Sequence, residues 1–443
     1  MKIHAIGGYS EVGKNMSVLE LKDDAFIFDE GFFLPAIVEM QEKEDYHYTE
    51  QKLRGAKAIP DDLIVDSIKH KVRAQLIGHA HLDHVGAVPF ISNRYNAPIY
   101  GTPFTNAVLN SLLKDEERHL NNPVKTIQPN SKFYIQGKNK KYLVEFINIT
   151  HSTPQTSIIA VHTSEGVVVY ANDFKLDDNP VLGLKPNYER LKELSKIGVK
   201  ALIVDSLYSG SDRKTPSEKI ARHLLEEVLF GIRNKDSGIF VTTFSSHIAR
   251  LKSIVEFGRK LNREIIFLGR SLSKYSEAAK SIGIAPFMKD VRVCTYRRQV
   301  EKALHDIEKR RKKYLVVCTG HQGEPGSILE RISRNQLPFK FQENDNLIFS
   351  SSVIPTEINK ENFTKMEEKL KKRRLRIFKD VHVSGHGGKE DLREMVSILN
   401  PEHIIPSHGE EAKTRPMLDL ANEMGFKTSK QVHLLKDGES LSI

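Results

Sequence analysis

Two kinds of apolar spacing alternate along much of this chain. Short runs rich in β-branched residues, "ALIVDS" (201 to 206), "GIFVTTFSS" (238 to 246), "EIIFLGRS" (264 to 271), "YLVVCTG" (314 to 320) and "NLIFSSS" (346 to 352), have the length and make-up of buried strands. Between them, "SEKIARHLLEEVLFGIRN" (217 to 234) and "SHIARLKSIVEFGRKLN" (246 to 262) return an apolar residue every three to four positions, the period of one helix face. Strand and helix in regular alternation predict a doubly wound α/β unit over roughly 206 to 380. The first 200 residues have another rhythm. "KIHAIGG", "MSVLELKDDAFIFDEG" and "YLVEFINIT" (142 to 150) are strand-like segments broken by Gly, Asn and Asp turns, which predicts a sheet-rich layered domain.

Composition narrows the class. At 443 residues, without an internal repeat or low-complexity linker, two domains are expected. With 39% hydrophobic and 28% charged residues the chain is ordinary for a globular protein, and no run approaches the ~18 to 20 apolar residues of a bilayer span. The N-terminus "MKIHAIGGYSEVGKN" has no apolar signal core, so a cytoplasmic location is expected. Cys294 and Cys318 have no C-x-x-C partner, which argues against both a disulfide framework and a thiolate zinc site. The net charge of +10 favours a polyanionic partner without naming it.

The histidines say more. His79 follows "AQLIG", His151 follows "VEFINIT", Asp173 follows "VVVYAN", Asp205 ends "ALIV" and His408 follows "HIIPS". Each stands at the carboxyl end of an apolar run, the edge where layered α/β folds assemble ligand sites. In "QLIGHAHLDHVGAV" (75 to 88), four ligand-type side chains share six positions, which packing alone does not explain. Imidazole and carboxylate are the usual non-thiolate ligands of zinc. In extended chain His79 and His81 point the same way and hold one ion, while Asp83 and His84, past a bend, reach a second. His151 supplements the first, His408 the second, and Asp173 bridges them. Two ions about 4 Å apart activate water and neutralise a phosphoryl group, which is machinery for hydrolysis. The scattered His162, His223 and His403 read instead as histidines with ordinary partners.

"GHAHLDHVG" resembles the signature of the metallo-β-lactamase superfamily, with "THSTP" (150 to 154) and "ANDFKLD" (171 to 177) similar to its later motifs and Asp29 in "FIFDEG" similar to its first, an aspartate that orients ligating groups. Asp205 in "VDSLYS", His386 in "VSGHGG" and His408 in "PSHGE" resemble motifs A, B and C of the β-CASP nucleases, and the stretches around "TFSSHIAR" and "TGHQGEPGS" look most like the compact archaeal type of the ribonuclease J family. The resemblance implies an αββα metallo-β-lactamase sandwich (1–205 and 381–443) with an inserted doubly wound β-CASP domain (206–380). It further implies two Zn²⁺ ions, with Mn²⁺ as an alternative, and 5'-to-3' hydrolysis of single-stranded, 5'-monophosphorylated RNA to mononucleotides. His408 at motif C goes with RNA rather than DNA. The remaining alternatives are a mainly endonucleolytic β-CASP enzyme and an inactive RNA-binding scaffold.

For the reaction itself the candidates are Asp83, His386 as general acid, and Asp205 holding the His386 imidazole in one tautomer. For the 5'-phosphate they are Ser245, Ser246, Arg270, Ser384 and His386, with the backbone N–H groups of Gly387 and Gly388. Phe244 is the candidate for base stacking, and the basic tracts 308 to 314 and 369 to 379 read as solvated faces or an RNA track. About 35 residues follow motif C, enough to complete the lactamase sheet, so a homodimer would have to use a surface other than a C-terminal domain.

Overall fold

The computed structural model describes residues 1–42, 48–232, 236–354 and 356–443, which divide into two compact units. Unit 1 comprises Met1–Asp178, Gly183–Thr215 and Gly385–Ile443; unit 2 comprises Asn179–Leu182 and Pro216–Ser384. These limits differ from those expected. The chain stays in unit 1 past residue 205 to Thr215 and returns at Gly385. Asn179–Leu182 goes with unit 2 because the carbonyls of Asn179 and Val181 accept from Ser217 Oγ (2.9 Å) and Lys252 Nζ (3.1 Å).

Unit 1 is built on two sheets. One has the strand order Ser440–Ser442, Lys2–Gly7, Met16–Glu20, Ala25–Phe28, Val72–Leu76, Ile99–Gly101, Val124–Thr126. The other runs His403–Ser407, Val199–Asp205, Gly166–Ala171, Ser157–Thr163, Lys141–Asn148, Ser131–Gln136. Period-two alternation decides which face each residue takes. Phe26 and Phe28 enter a core shared with Phe146, Tyr170 and Ile203 of the second sheet, whereas Ala25 and Ile27 face Phe90 and Ile91 on the outer side. On the far side of the second sheet, Val169, Leu202 and Val204 meet Leu191, Leu392, Met395 and Leu420, all from helices. Helix, sheet, sheet, helix is the αββα order. Burying each of these large side chains contributes about 1.5–3 kcal/mol. The first and last residues close one sheet edge: Lys2–His4 pair antiparallel with Ser440–Ser442, and the Met1 amine donates to the Ile443 carbonyl at 2.9 Å.

Strand direction places the site. Gly166–Ala171, Val199–Asp205 and His403–Ser407 are mutually parallel. Lys141–Asn148 reaches the same sense through two antiparallel pairings with Ser157–Thr163. All four strands therefore end at one edge, and His151, Asp173, Asp205 and His408 lie there.

Unit 2 is a wholly parallel sheet in the order Val291–Cys294, Glu264–Leu268, Tyr314–Cys318, Ile239–Thr242, Asn346–Phe349, Arg376–Phe378. Leu304, Ile307, Leu329, Met366 and Leu370 bring helices onto one face. On the other, helix Ile248–Lys260 packs so closely that a Cβ on Gly258 would come within 3.0 Å of Ile265. The helix expected over 217 to 234 forms as Glu218–Gly231, with Ser217 Oγ accepting from Lys219 N–H at its start; residues 233 and 234 lie outside those described, as does Pro355. Cys294 and Cys318 are free and buried. Among the described residues no helix is long and apolar enough to cross a membrane.

Candidate metal centre

In unit 1, the chain leaves strand Val72–Leu76 and reaches His79 three residues later, then turns into a one-turn helix, Leu82–Val85, that starts after His81. Helical turning carries Asp83 and His84 away from the direction shared by His79 and His81. The seven candidate ligands gather into two groups sharing Asp173: His79, His81, His151 and Asp173, and Asp83, His84, Asp173 and His408, with the ligand atoms of each within 4.8 Å of one another. His81 Nδ1 lies 3.2 Å from His79 Nε2 and 3.1 Å from His151 Nε2. Asp173 Oδ2 is central, 3.3 Å from His79 Nε2, 3.2 Å from His84 Nε2 and 3.5 Å from His151 Nε2. Its other oxygen faces His408 Nδ1 at 3.4 Å.

This geometry suits divalent cations. Burial pulls His79, His81 and His151 below the ordinary imidazole value, so they are neutral and offer lone pairs toward a common point. Burial pushes the Asp173 carboxyl up, but His408, His84 and His386 outweigh it and hold the group ionised, well below the usual carboxylate range. Burial also opposes charge on His84, yet Asp173, Asp83 and Asp29 outweigh it and lift the group well above its ordinary value. His79 Nδ1 and Asp173 Oδ1 are buried without a hydrogen bond. An ion-sized charge is what such a cluster wants.

The ligands are held in turn. The Gly385 carbonyl accepts from His151 Nδ1 at 2.7 Å, which leaves Nε2 facing the cluster. Asp29 takes His84 Nδ1, the Tyr170 hydroxyl and the Gly78 N–H, each at 2.7 Å. Asp29, Asp173 and His408 all have positive φ (58°, 62° and 64°), a left-handed conformation that Asp and His tolerate better than most residues and that is often found at functional sites.

Next to the cluster, His386 Nδ1 is 2.8 Å from Asp205 Oδ2, and its Nε2 is 4.0 Å from Asp173 Oδ2. Burial works against its charge, but Asp205 and Asp173 outweigh this and bring its pKa up to about 9. The phosphate-holding amides expected at Gly387 and Gly388 must be corrected. Gly387 N–H donates to the Phe174 carbonyl at 2.6 Å and Gly388 N–H to Asp391 Oδ2 at 3.0 Å, so both are engaged. Glycine stands there for packing: a Cβ would meet Asp391 Cβ at 2.7 Å or the Arg213 carbonyl oxygen at 2.3 Å. Ser245, Ser246, Arg270 and Ser384 belong to unit 2, where Ser245 Oγ lies 2.9 Å from Ser271 Oγ and Arg270 is exposed. Phe244 stands edge-on to His321, ring centroids 4.3 Å apart.

Sequence reading missed Asn15. Its Nδ2 is 3.0 Å from His84 Nε2 and donates to the Asp83 carbonyl, while its Oδ1 faces His408 Nδ1 at 3.1 Å and accepts from Asn172. The only signal was a polar residue between the turn "GGYSEVGK" and a buried strand. Tyr170, an aromatic within an apolar run, carried no signal.

Residues 236–370 match the family model described as ribonuclease J, beta-CASP domain, and residues 371–433 that of the Zn-dependent metallo-hydrolase RNA specificity domain. The whole chain is similar to ribonuclease J of Methanocaldococcus jannaschii, 40% identical and covering 98% of that protein. The corresponding figures for ribonuclease J of Pyrococcus abyssi are 41% and 97%. The chain belongs to the ribonuclease J family. As a member of that β-CASP family it is a metal-dependent ribonuclease with the metallo-β-lactamase fold. Ribonuclease J 1 of Streptococcus pyogenes is longer, 31% identical over the whole of this chain, which spans 74% of it. A crystal structure of a protein of unknown function from Enterococcus faecalis V583 shares the fold at a TM-score of 0.66 and 16% identity, covering 99% of each chain.

Proposed function

We propose that this ribonuclease is a two-zinc 5'-to-3' exonuclease that starts at a 5'-monophosphate on single-stranded RNA and releases 5'-mononucleotides. The observation that carries the reading is the convergence of seven imidazole and carboxylate ligands into two neighbouring groups that share Asp173. His79, His81 and His151 with Asp173 would hold one ion; Asp83, His84 and His408 with Asp173 would hold the other. The nitrogen and oxygen donor set, without thiolate, suits zinc and also accommodates manganese. When bound, the ions supply a water that ionises near neutral pH and neutralise charge on the scissile phosphate.

The chain's own residues supply the rest. Asp205 accepts from His386 Nδ1 and so orients the imidazole, leaving Nε2 to give its proton to the departing 3'-oxygen, a step worth about 10²–10⁴ in rate. In unit 2, Ser245, Ser246 and Ser384 donate hydroxyl hydrogen bonds to the 5'-monophosphate, and the exposed Arg270 adds charge. Hydroxyls that hold the terminal phosphate would make the 5' end the part of the strand that unit 2 engages.

Matched 3'-labelled RNAs bearing a 5'-monophosphate, 5'-triphosphate or 5'-hydroxyl test the proposal. Mononucleotide release that is fastest from the monophosphate is expected. Internal fragments formed at rates indifferent to the 5' end would make the protein an endonuclease instead.

A further inference from the structure

Among the described residues, the largest fully buried side chain is charged: Arg250 has no exposed surface. It lies in the first turn of helix Ile248–Lys260, in register with Ile254 and Phe257, where the buried face would ordinarily take a hydrophobe. Its guanidinium forms a fork with Glu218, Nε to Oε1 at 2.6 Å and Nη2 to Oε2 at 2.9 Å. Nη1 donates to the carbonyl and hydroxyl oxygens of Ser350, both at 2.8 Å, and to the Val381 carbonyl at 3.2 Å. Ser350 Oγ donates to that same Val381 carbonyl at 2.8 Å, and Thr243 Oγ1 donates to the Ser350 carbonyl at 2.9 Å. His247 Nε2 stands 3.3 Å from Glu218 Oε2. Burial pushes the Glu218 carboxyl up, but His247 and Arg250 outweigh it and keep the group ionised.

A buried ion pair is seldom more stable than packed hydrophobes in its place, so stability alone does not account for this one. What it holds is more telling. Three chain segments meet there: the turn after strand Ile239–Thr242, which carries Ser245 and Ser246; Ser350, just after strand Asn346–Phe349; and Val381, three residues before Ser384.

We propose that Arg250 is a positioning residue for 5'-end recognition: one guanidinium ties Ser350 and Val381 to the Glu218–His247 pair, and so fixes where the hydroxyls of Ser245, Ser246 and Ser384 stand. The inference rests on the reading of those serines as donors to a 5'-monophosphate. Arg250 itself is too buried to touch RNA; its effect passes through the segments it joins.

The test compares wild type, Arg250→Lys and Ser350→Ala on matched 5'-monophosphate and 5'-hydroxyl RNAs, measuring kcat, KM, bound zinc and Tm. Lysine keeps a positive charge beside Glu218 but lacks the fork that spans three partners. Ser350→Ala retains the ion pair and removes one bridging hydroxyl, so it remains informative where Arg250→Lys does not fold. The expected result is a KM for the monophosphate RNA raised about tenfold in Arg250→Lys and about threefold in Ser350→Ala. Zinc content, kcat and the KM for the hydroxyl RNA should hold. A preference for the monophosphate that survives both variants, or survives Ser350→Ala where the other is unfolded, overturns the inference, whatever happens to Tm. A wild-type enzyme that treats both ends alike removes the end-recognition reading and this inference with it.

Discussion

Each unit buries a cluster of charged and polar side chains at the carboxyl ends of its strands, and the two clusters are finished to different degrees. In unit 2, Arg250 is matched by Glu218, by both oxygens of Ser350 and by the Val381 carbonyl. In unit 1, three neutral imidazoles turn nitrogens toward one another, Asp173 stays ionised among histidines, and two buried atoms lack hydrogen bonds. The first cluster satisfies itself; the second leaves His79 Nδ1 and Asp173 Oδ1 without hydrogen bonds. Buried polarity that closes on itself fixes chain segments, whereas buried polarity left open is a ligand site.

The sharpest way to break the comparison is to remove the shared carboxylate. Asp173→Ala should lose both ions and lower kcat/KM at least about a thousandfold, since metal ions contribute several kcal/mol of charge stabilisation to such reactions. Retained zinc, read by elemental analysis, would refute its bridging position. Chelation of the wild type should likewise lower Tm, and zinc should restore it, because an ion that binds only the folded state stabilises it.

His386→Ala is expected to reduce kcat about 10²–10⁴-fold. It should keep its full zinc content, which separates proton transfer from ion holding. A smaller effect belongs to Asn15, which touches His84 and His408 and is in neither ligand group. Asn15→Ala should weaken zinc binding about 10–100-fold by competition with a chelator, while saturating zinc restores most of the activity.

The smallest effect tests a self-satisfied cluster inside unit 1 itself. Glu145 meets His162 Nε2 at 2.6 Å and accepts from Arg190 at 2.6 and 2.7 Å. Burial pushes its carboxyl up, but these hydrogen bonds outweigh it and hold the pKa at about 2. Its stabilising contribution is full above the ordinary carboxylate value and lost as pH falls through about 2. Glu145→Gln should therefore lower Tm by a few degrees at pH 7. The gap from wild type should close in acid and should not respond to zinc. A gap constant across that range would mean packing is responsible.

Much of this was legible in the sequence, for physical reasons. Strand and helix periods in the middle of the chain are local, so the parallel sheet of unit 2 could be read directly, and His79, His81, Asp83 and His84 were visible because their spacing is compressed into one turn. Asn15 and Tyr170 were not, because their contacts to His84, His408 and Asp29 are made by distant segments through chemically ordinary groups. Gly387 and Gly388 misled: glycine near a histidine suggests room for an anion, but here it makes room for Asp391 and Arg213. Arg250 did leave a trace, a cation in register with Ile254 and Phe257, and a strict reading of that helix face would have asked why.

Finally, the pairing of Lys2–His4 with Ser440–Ser442 bears on how the enzyme is made. Unit 2 is almost one uninterrupted stretch, Pro216–Ser384, while unit 1 draws on both sides of it. During translation the inserted unit emerges whole and is free to fold while its host still lacks the strand His403–Ser407 and the residue that follows it. On the roles proposed here, a nascent chain that stops short of His408 carries an incomplete ligand set.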